Sequence, residues 1–554
     1  TTEIYTLSLH DALPIFGLSQ RLSRCLPFGV PLGLSFGLPF RLSFGLRFRG
    51  RALKLPWAFK PSRRKGCDLS WVPDFWKSLR PYLIARQEDE VLIIPPNLVY
   101  KTNRTGLALL DALDKGLRLE RLPGMDETKL RDVERFFLDI KALCEGREAP
   151  TEKIAYDFNF SRLPILGEIA LTYRCNNACR FCYAGCGSAG SCGLNHAISG
   201  SCGSAAGPEG STGRPASAGL PGATDSAMGK DSGEKEMSTQ EVERIIDVFA
   251  FKAKIPFFSF TGGEPLLRED LEHLIEYALR RRLRVNLISN GTLISPERAR
   301  ALRRAGLTTA QISLESPGEE MRERLCGARG AYKITLAGIK ALQEAGIRVQ
   351  TNSTLTALNR ESLFAMPAFL ASIAVERFSM NLYIPAARID TAAGLLVPYS
   401  QVGAFVDSMR KAAAAAGRIF YWYSPTPLCI YNPIARGLGN KSCAAADGLI
   451  HVNPSGDVLP CSSYAGALGN LLVQDFEDVW FSARAGHFKQ KRYAPEACRA
   501  CASFTACQAA CPLYWNYAGY GELERSGWAG AAPGRRGPCS AGARTGRGGA
   551  GAAW

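Results

Sequence analysis

The sequence predicts a mixed α/β protein, and three observations support this prediction. Apolar strand patterns alternate with amphipathic helical patterns from Leu163 onward, which is typical of βα units around a parallel sheet. A shorter stretch, residues 80–150, contains strand patterns followed by helical patterns. Regularly spaced cysteines lie in two places, one directly after the first strand of the predicted sheet and one in the last third of the chain.

Six strands are predicted for the central sheet, with helices between them. The strands centre on residues 165–172, 256–261, 284–289, 308–314, 348–355 and 377–384. The helices include Ser238 to Lys252 and Glu269 to Arg282. No uninterrupted apolar run reaches about 18 residues, so the sequence predicts no transmembrane helix.

Residues 80–150 predict a small winged-helix-like module. Val91 to Ile94 and Leu98 to Tyr100 are strand patterns on either side of a Pro-Pro-Asn turn. Thr105 to Leu113 and Glu127 to Cys144 have apolar residues at helical spacing.

Low-complexity stretches separate and flank these parts. Residues 1–65 are expected to be a disordered or artefactual lead-in, because residues 1–16 resemble a translated sequencing adapter. Residues 184–236 are rich in Gly, Ser and Ala and predict a disordered insertion within a core at 160–395. A cysteine-rich domain is expected at 420–540 and a disordered tail at 541–554. Six cysteines in or beside these stretches or outside any motif are not expected to bind metal: Cys25, Cys67, Cys144, Cys186, Cys192 and Cys202.

The net charge of +16 does not indicate nucleic-acid binding. Residues 17–65 carry eleven Lys or Arg and no acid, and residues 534–554 carry four Arg and no acid. Residues 66–533 therefore have a net charge of only +3. A nearly neutral folded part gives no electrostatic reason to expect nucleic acid as a partner.

The most informative motif follows the first predicted strand. It reads Cys175-Asn-Asn-Ala-Cys179-Arg-Phe-Cys182-Tyr183. Three thiolates on one short loop can bind three irons of a 4Fe–4S cube and leave the fourth iron open. A zinc site or a disulfide is the alternative, although zinc loops usually contain two C-x-x-C pairs.

This motif resembles that of the radical S-adenosylmethionine (SAM) superfamily, in which the open iron binds SAM. The resemblance implies that the six βα units form a partial (β/α)6 barrel of the TIM type, with the cluster of Cys175, Cys179 and Cys182 at the carboxyl ends of its strands. It also implies a SAM site beside Tyr183. The further SAM-binding segments that match the family are Thr261-Gly262-Gly263-Glu264-Pro265, Ser289-Asn290-Gly291, and Ser313 with Glu315. The two glycines are expected to let the backbone approach the ligand.

The last third of the chain has a second cysteine pattern. Its members are Cys443, Cys461, Cys498, Cys501, Cys507, Cys511 and Cys539. The spacing resembles the SPASM extension of radical SAM enzymes, which commonly holds two auxiliary 4Fe–4S clusters. The resemblance implies that Cys443, Cys461 and Cys511 bind the inner cluster, with Cys429 or an open iron at its fourth position. Cys498, Cys501, Cys507 and Cys539 would bind the outer cluster.

The string from Pro96 to Gly106 resembles the PqqD-like peptide chaperone of pyrroloquinoline-quinone biosynthesis. That family binds leader peptides by adding a strand to its own sheet edge, a recurring mode of recognition. An inert N-terminal cap on the barrel is the alternative interpretation of residues 80–150.

Together these resemblances imply a radical SAM oxidoreductase that cleaves SAM reductively to a 5′-deoxyadenosyl radical. Its substrate would be a ribosomally made peptide with a leader, which it would crosslink through C–C or C–S bonds or oxidise at a side chain. The alternatives are a tetrapyrrole side-chain modifier of the haem pathway and a non-catalytic SAM-binding or electron-transfer scaffold. A flavodoxin- or ferredoxin-type electron donor and an anaerobic cytoplasm are expected. The sequence does not identify a general base, and Tyr383, Arg388 and Asp390 are only candidates for the pocket. Cys326 is expected to be an ordinary buried or loop thiol.

Overall fold

The computed structural model divides the chain into two compact units. It describes residues 5–7, 67–80, 82–94, 98–144, 152–154, 163–185, 236–385, 394–439 and 441–525. The smaller unit comprises Thr1–Leu7, Pro14–Pro95 and Val99–Ile154, and the larger one contains Ala155–Trp554. The proposed pocket residues Arg388 and Asp390, the cluster residue Cys539 and most of the insertion at 184–236 lie outside the described residues.

The smaller unit contains five short strands and three helices among its described residues. They are β1 (Tyr5–Leu7), α1 (Val72–Leu79), β2 (Ile84–Arg86), β3 (Val91–Ile94), β4 (Leu98–Lys101), α2 (Arg104–Asp114), α3 (Glu127–Cys144) and β5 (Glu152–Ile154). The strand order is β2-β3-β4-β1-β5. Strands β3 and β4 and helices α2 and α3 confirm the sequence prediction to within one residue. The first strand lies in the stretch that was expected to be disordered or foreign.

Helices α2 and α3 pack together through one close contact. Gly106 on α2 faces Phe136 on α3, and a Cβ at Gly106 would lie 2.8 Å from that ring. Phe136 and Phe137 are completely buried and meet edge to face at 5.2 Å. Asn103 caps α2 by accepting from the Gly106 amide at 2.8 Å. The apolar helical spacing read from the sequence therefore gives the core of this unit.

The larger unit is built on a ten-stranded sheet. Its strands are β6 (Leu166–Thr172), β7 (Phe257–Gly262), β8 (Arg284–Ser289), β9 (Thr309–Ser313), β10 (Arg348–Leu355), β11 (Arg377–Leu382), β12 (Ile419–Trp422), β13 (Leu449–Val452), β14 (Asp457–Leu459) and β15 (Gly469–Asn470). The order is β12-β11-β10-β9-β8-β7-β6-β13-β14-β15, and β6 to β13 pair in parallel. The fold is a partial barrel of the TIM type rather than a closed one.

All six predicted strands are present, as β6 to β11, and two parallel strands were missed. The seventh, β12, extends the series at one edge. The eighth, β13, comes from the cysteine-rich region and pairs with β6 at the other edge, in the register His451 with Glu168. The barrel is therefore continuous with the cysteine-rich domain through one sheet.

Helices cover one face of this sheet. They are α4 (Thr239–Asp247), α5 (Leu271–Arg280), α6 (Pro296–Arg304), α7 (Glu319–Cys326), α8 (Ala331–Glu344), α9 (Met366–Ser372) and α10 (Tyr399–Ala415). The predicted helix at 238–252 is α4, capped by Ser238 and Glu241, followed by a π-helical turn at Val248–Lys252. The core lies between these helices and alternate strand residues such as Phe258, Ile312 and Phe378.

Short helices complete the cysteine-rich region after β15. They are α11 (Phe476–Trp480), α12 (Ala483–Lys489), α13 (Glu496–Arg499), α14 (Phe504–Cys507), α15 (Pro512–Ala518) and α16 (Gly521–Arg525). None of the helices in the described ranges is both long and apolar enough to span a bilayer.

Candidate active site

The first cysteine motif forms a loop at the carboxyl end of β6. Cys175, Cys179 and Cys182 are all half-buried, and the Cys182 amide donates to the Cys179 carbonyl at 3.1 Å. Within the loop the Asn177 amide also donates to the Cys175 sulfur at 3.4 Å. The ends of three neighbouring βα units contact the loop as well.

The end of β7 packs backbone to backbone against the residues that precede the cysteines. A Cβ on Gly262 would lie 2.2 Å from the Thr172 carbonyl oxygen, and one on Gly263 would lie 2.3 Å from the Arg174 carbonyl oxygen. The Gly263 amide donates to the Thr172 carbonyl at 2.7 Å. The two glycines therefore allow two segments of the chain to touch. The expectation that the same glycines let the backbone approach a ligand stays a prediction beside this contact.

Glu264 joins the ends of β7 and β8. Its buried carboxylate accepts from the Leu266 amide at 3.1 Å, the Ser289 hydroxyl at 2.9 Å and the Asn290 amide at 2.8 Å. Burial raises the pKa of the Glu264 carboxyl to about 7, and the three donors offset this only in part. Pro265 begins the 3-10 turn that follows. Glu264 thus connects the predicted SAM-binding segments at the ends of β7 and β8 by contacts within the protein.

The end of β8 contacts the cysteine loop through Asn290. Its side-chain amide donates to the Asn176 side-chain oxygen at 2.8 Å and lies 3.8 Å from the Cys175 sulfur. Asn176 in turn donates to the Thr292 hydroxyl at 2.7 Å. Gly291, which lies between Asn290 and Thr292 in the sequence, has a φ of +79°, a conformation that favours glycine.

The end of α7 is the third contact of the loop. The Ala178 and Arg180 amides donate to the Cys326 and Leu325 carbonyls, each at 2.9 Å. These carbonyls belong to the last turn of α7, where helix carbonyls lack intrahelical partners. A Cβ at Gly327 would lie 2.6 Å from the Ala178 carbonyl oxygen, so the approach is close.

Further predicted SAM-site residues lie beside these contacts. The Tyr183 hydroxyl donates to the Gly262 carbonyl at 3.1 Å and also interacts with Thr261. Ser313 ends β9, and Glu315 two residues later is buried. Burial raises the pKa of the Glu315 carboxyl, while Arg322 lowers it. The structure therefore brings the predicted segments together at one end of the sheet.

Arg322 is a residue of this site that the sequence analysis missed. Its guanidinium is completely buried and donates to the Thr335 hydroxyl at 2.8 Å. Its Nε and Nη1 have no hydrogen-bond partner among the described residues. Buried donors without partners are costly, so these nitrogens fit an anionic ligand group such as the SAM carboxylate. A single arginine on a helix has no sequence signal that distinguishes it from a surface residue.

Cys443, Cys461 and Cys511 of the second pattern lie close together. Burial, together with the nearby Cys443 thiol, raises the pKa of Cys461 to about 12. The pKa of Cys511 is raised by burial and then by Cys443 and Cys461. Cys443 and Cys461 lie at the two ends of the β13–β14 hairpin, whose antiparallel pairing brings them together.

The other cysteines of this pattern lie on short helices. Cys498 is on α13, and Cys501 follows that helix. The Cys501 amide donates to the Cys498 carbonyl at 3.1 Å. The Cys507 sulfur accepts from the amide of Leu428, the neighbour of Cys429, at 3.4 Å. No disulfide forms among the twelve cysteines whose side chains are described. Among the described residues, no group of three His, Cys, Asp or Glu side chains lies close enough together to bind a single metal ion. Each thiolate of a cube binds a different iron, so such convergence is not required.

A left-handed turn carries the chain from Cys507 to Cys511. Gln508, Ala509 and Ala510 have φ values of +53°, +58° and +58°, although none is glycine. Each such residue costs roughly 1–2 kcal/mol. The turn is buried, and Trp515 donates to the Ala509 carbonyl at 2.6 Å, which helps to hold it. The turn lies between Cys507 and Cys511, which the resemblance assigns to different clusters.

Comparisons with known proteins agree with this geometry. The profile of the radical SAM superfamily matches residues 169–370, and that of SPASM, an iron–sulfur cluster-binding domain, matches residues 443–502. An AdoMet-dependent heme synthase of Nitratidesulfovibrio vulgaris is 30% identical over 274 residues, which cover 46% of this chain and 73% of that protein. The chain belongs to the radical SAM superfamily.

Two further relatives are informative about this radical SAM enzyme. A PqqA peptide cyclase of Granulibacter bethesdensis is 27% identical over 281 residues, covering 48% of this chain and 71% of that protein. The crystal structure of Streptococcus suis SuiB has a TM-score of 0.55 at 15% identity, covering 78% of this chain and 95% of that one. SuiB bound to its precursor peptide SuiA has a TM-score of 0.53. At this identity the likeness shows a shared fold.

The cofactors of this radical SAM enzyme are SAM and iron–sulfur clusters, and SAM supplies a carbon-centred radical when it is bound and reduced. The chain's own contribution is to fix the geometry. Glu264 and the two glycines set the position of the cysteine loop, and Asn290 presents an amide to the Cys175 sulfur. Arg322 offers two donors that have no partner in the part of the chain that the structure describes. Packed elements on three sides would limit access of water to the loop.

Tyr383 is the one pocket candidate that the structure describes. It follows β11 and is buried, and its hydroxyl has no hydrogen-bond partner within the described ranges. Tyr383 packs with Leu395, and Phe181 of the cysteine loop packs against this pair. The end of β11 therefore lies near the cysteine loop, which keeps Tyr383 a candidate for contact with the substrate.

Proposed function

We propose that this enzyme oxidatively modifies a ribosomally made peptide, forming a C–C or C–S crosslink or an oxidised side chain. The observation that carries this proposal is in the smaller unit. The edge of β4 that faces away from β3 pairs with another extended segment, β1, in antiparallel register. A leader peptide bound by strand addition would use the same edge.

The identity of the segment on this edge is instructive. Tyr5 pairs with Lys101 and Thr6 with Tyr100, and the same three-residue strand pairs in parallel with β5 on its other side. The segment resembles a translated adapter, which has no reason to fit this fold. Strand addition depends mainly on backbone hydrogen bonds, so an edge that accepts such a segment is suited to an extended peptide of another sequence.

The larger unit also favours a peptide. On the face of the sheet opposite the helices, the Gln350 side-chain amide donates to the Tyr423 hydroxyl at 2.7 Å and the Ser379 hydroxyl at 3.1 Å. Ser379 donates to the Asn352 side-chain oxygen at 2.8 Å. Amides and hydroxyls of this kind match the donors and acceptors of peptide groups. PqqA peptide cyclases among the relatives, and SuiB with its precursor peptide, support the same substrate class.

A tetrapyrrole is the second candidate substrate. It is favoured by one observation, the 30% identity to an AdoMet-dependent heme synthase. A non-catalytic scaffold is not proposed, because the relatives at this similarity are enzymes. For either substrate we propose two auxiliary clusters in the SPASM part, an electron donor of the flavodoxin or ferredoxin type, and a cytoplasmic location.

Peptide binding can be tested with a defined ligand. The protein lacking residues 1–16 would be titrated with a labelled synthetic peptide of residues 1–12, which contains the β1 sequence. We expect binding, and we expect Val99→Pro to weaken it at least tenfold, about 1.4 kcal/mol, because proline removes a backbone donor from β4. Val473→Pro, at an exposed turn of the larger unit, is the matched control and should leave affinity unchanged.

The same variants then separate the two substrates. Peptides encoded by short reading frames beside the gene should compete with the labelled peptide, and Val99→Pro should bind them poorly while it keeps its iron and its uncoupled SAM cleavage. A tetrapyrrole would instead change its visible absorption equally with both proteins. Equal peptide affinity in Val99→Pro and Val473→Pro would refute the edge-binding proposal. Loss of iron in Val99→Pro would show that the smaller unit supports the barrel.

A further inference from the structure

Lys491 is a buried cation beside a cysteine of the SPASM pattern. Its side chain is completely buried, and its ammonium group donates to the Cys443 carbonyl at 2.8 Å and to the Asp447 Oδ2 atom at 3.0 Å. Because this carbonyl belongs to Cys443 itself, the ammonium lies close to the iron that Cys443 would bind. Neither the cysteine spacing nor the proposed function gives Lys491 a role.

The backbone of Lys491 has an unusual conformation. Lys491 lies two residues after α12 with a φ of +51°, in the left-handed region, which costs energy for residues other than glycine. Its amide donates to the Phe488 carbonyl at 3.1 Å, and its carbonyl accepts from the Ala494 amide at 2.9 Å. These two bonds hold the turn from which the side chain reaches Cys443, 48 residues earlier in the sequence.

A second lysine adds to the positive charge of this region. The Lys489 Nζ atom is buried, has no hydrogen-bond partner among the described residues, and lies 3.4 Å from the centroid of the Trp480 ring. Asp447 is the one carboxylate in the described ranges that forms an ion pair with either lysine. Buried charges are costly unless an opposite charge compensates them. A cluster of iron and sulfide with thiolate ligands is anionic and would compensate this surplus.

We propose that Lys491 raises the reduction potential of the inner auxiliary cluster by placing a positive charge beside Cys443. One electron enters the cluster on reduction, and the cluster becomes more negative by one charge. A fixed cation stabilises the more negative state, and net charge is among the factors that set the potential of such clusters. Asp447 acts in the opposite direction, because its carboxylate offsets part of the positive charge.

The role of Lys491 is that of a positioning residue that acts through Cys443, because its side chain is hydrogen-bonded to the protein and does not contact the substrate or SAM. The inference rests on the part of the proposed function that puts an auxiliary cluster at these cysteines. It does not depend on the choice between a peptide and a tetrapyrrole.

The test compares Lys491→Met and Asp447→Asn with the wild-type protein, each reconstituted with iron and sulfide without oxygen. Lys115→Met, which removes an exposed lysine paired with Asp111 at 2.6 Å, is the matched control. Iron content and the ratio of reduced to oxidised cluster at fixed potentials are measured, the latter by electron paramagnetic resonance. The SAM-site cluster is recognised by the change in its spectrum when SAM is added, and the inner cluster by the change that Cys461→Ser causes.

We expect Lys491→Met to lower the ratio of reduced to oxidised inner cluster about tenfold, which is about 59 mV for one electron. Asp447→Asn should raise the same ratio, because it removes the opposing charge and keeps the ammonium. The other two clusters should keep the ratios of the wild-type protein and of Lys115→Met. A purely structural role of the ion pair would not move the two variants in opposite directions.

The outcomes that would overturn the proposal are distinct from failure of the proposed function. An unchanged or lowered ratio in Asp447→Asn would overturn it, and this variant alone decides if Lys491→Met loses iron. About twelve Fe per chain with unchanged ratios in both variants would refute only the role of Lys491. A wild-type protein with only about four Fe would refute the auxiliary clusters themselves, and with them this inference.

Discussion

Gly263 gives the sharpest test of how the cysteine loop is held. Its φ is not in the left-handed region, so alanine at this position is resisted by contact alone. The Cβ of Gly263→Ala would lie 2.3 Å from the Arg174 carbonyl oxygen and 2.8 Å from its carbon. Ordinary contact begins at 3.4 Å, so the carbonyl must move by about 1 Å. This movement includes the peptide bond that links Arg174 to Cys175.

The energetic consequence follows from this displacement. Overpacking of this kind typically costs about 1–3 kcal/mol. The hydrogen bond from the Glu264 amide to the Arg174 carbonyl, now 2.9 Å, would also be distorted. A shift of about 1 Å at a positioned catalytic group can lower the rate about 100-fold. We therefore expect Gly263→Ala to reduce SAM cleavage about 100-fold while the SPASM part keeps its iron.

The assay is release of 5′-deoxyadenosine by the reduced enzyme, with iron measured on the same sample. Gly486→Ala is the control, because nothing lies within 4 Å of its Cβ position on α12 and alanine favours a helix. SAM cleavage by Gly263→Ala within about threefold of the control would refute the reasoning that this close contact sets the position of the cysteine loop.

Two further predictions concern the same region. Replacing Cys175, Cys179 and Cys182 together with Ala should remove about four of about twelve Fe per chain and abolish SAM cleavage; retained cleavage would contradict the ligand assignment. The buried carboxyl of Glu264 has its pKa raised from 4.5 to about 7, so its stabilising contribution is complete below pH 4.5 and is lost as the pH rises through 7. The free energy of unfolding of the wild-type protein should fall by about 3 kcal/mol between pH 4.5 and 7.5, relative to that of Glu264→Gln, whose side chain does not titrate. Anaerobic denaturant titration measures both free energies. Parallel pH profiles of the two proteins would show that the Glu264 carboxyl is not buried in this way.

Local patterns predicted the elements of this fold well. Strands β6 to β11 and helix α3 follow from apolar periodicity, because each buries one regular set of side chains. The missed strand β13 pairs with β6 across more than 280 residues of sequence, as in the pair of Glu168 and His451. Nothing local specifies that pairing, because the residues around β13 carry a cysteine pattern that indicates metal binding and no strand partner. Contacts between distant segments set it, and these are not visible in periodicity.

The site shows the same division between motif and contact. The motifs placed Cys175, Glu264 and Asn290 at strand ends, and the structure brings those ends together. The motifs did not reveal what the residues do there. Glu264 accepts three hydrogen bonds from the protein, and Gly263 lies against the Arg174 carbonyl. Arg322 and Cys326 have no motif, because their importance comes from burial beside the cysteine loop.

Substrate choice therefore has to be sought outside the shared motifs. The heme synthase and the peptide cyclase among the relatives are 30% and 27% identical to this chain, a difference too small to decide between their substrates. The two profile matches, at 169–370 and 443–502, describe parts with cluster-binding motifs, which serve SAM cleavage with any substrate. The edge of β4 lies outside both matches, and Gln350, hydrogen-bonded to Ser379 and Tyr423, lies on the face of the sheet opposite the helices. In our proposal these two features serve recognition rather than radical formation, so we expect variants in them, and not in the cysteine motifs, to distinguish a peptide from a tetrapyrrole.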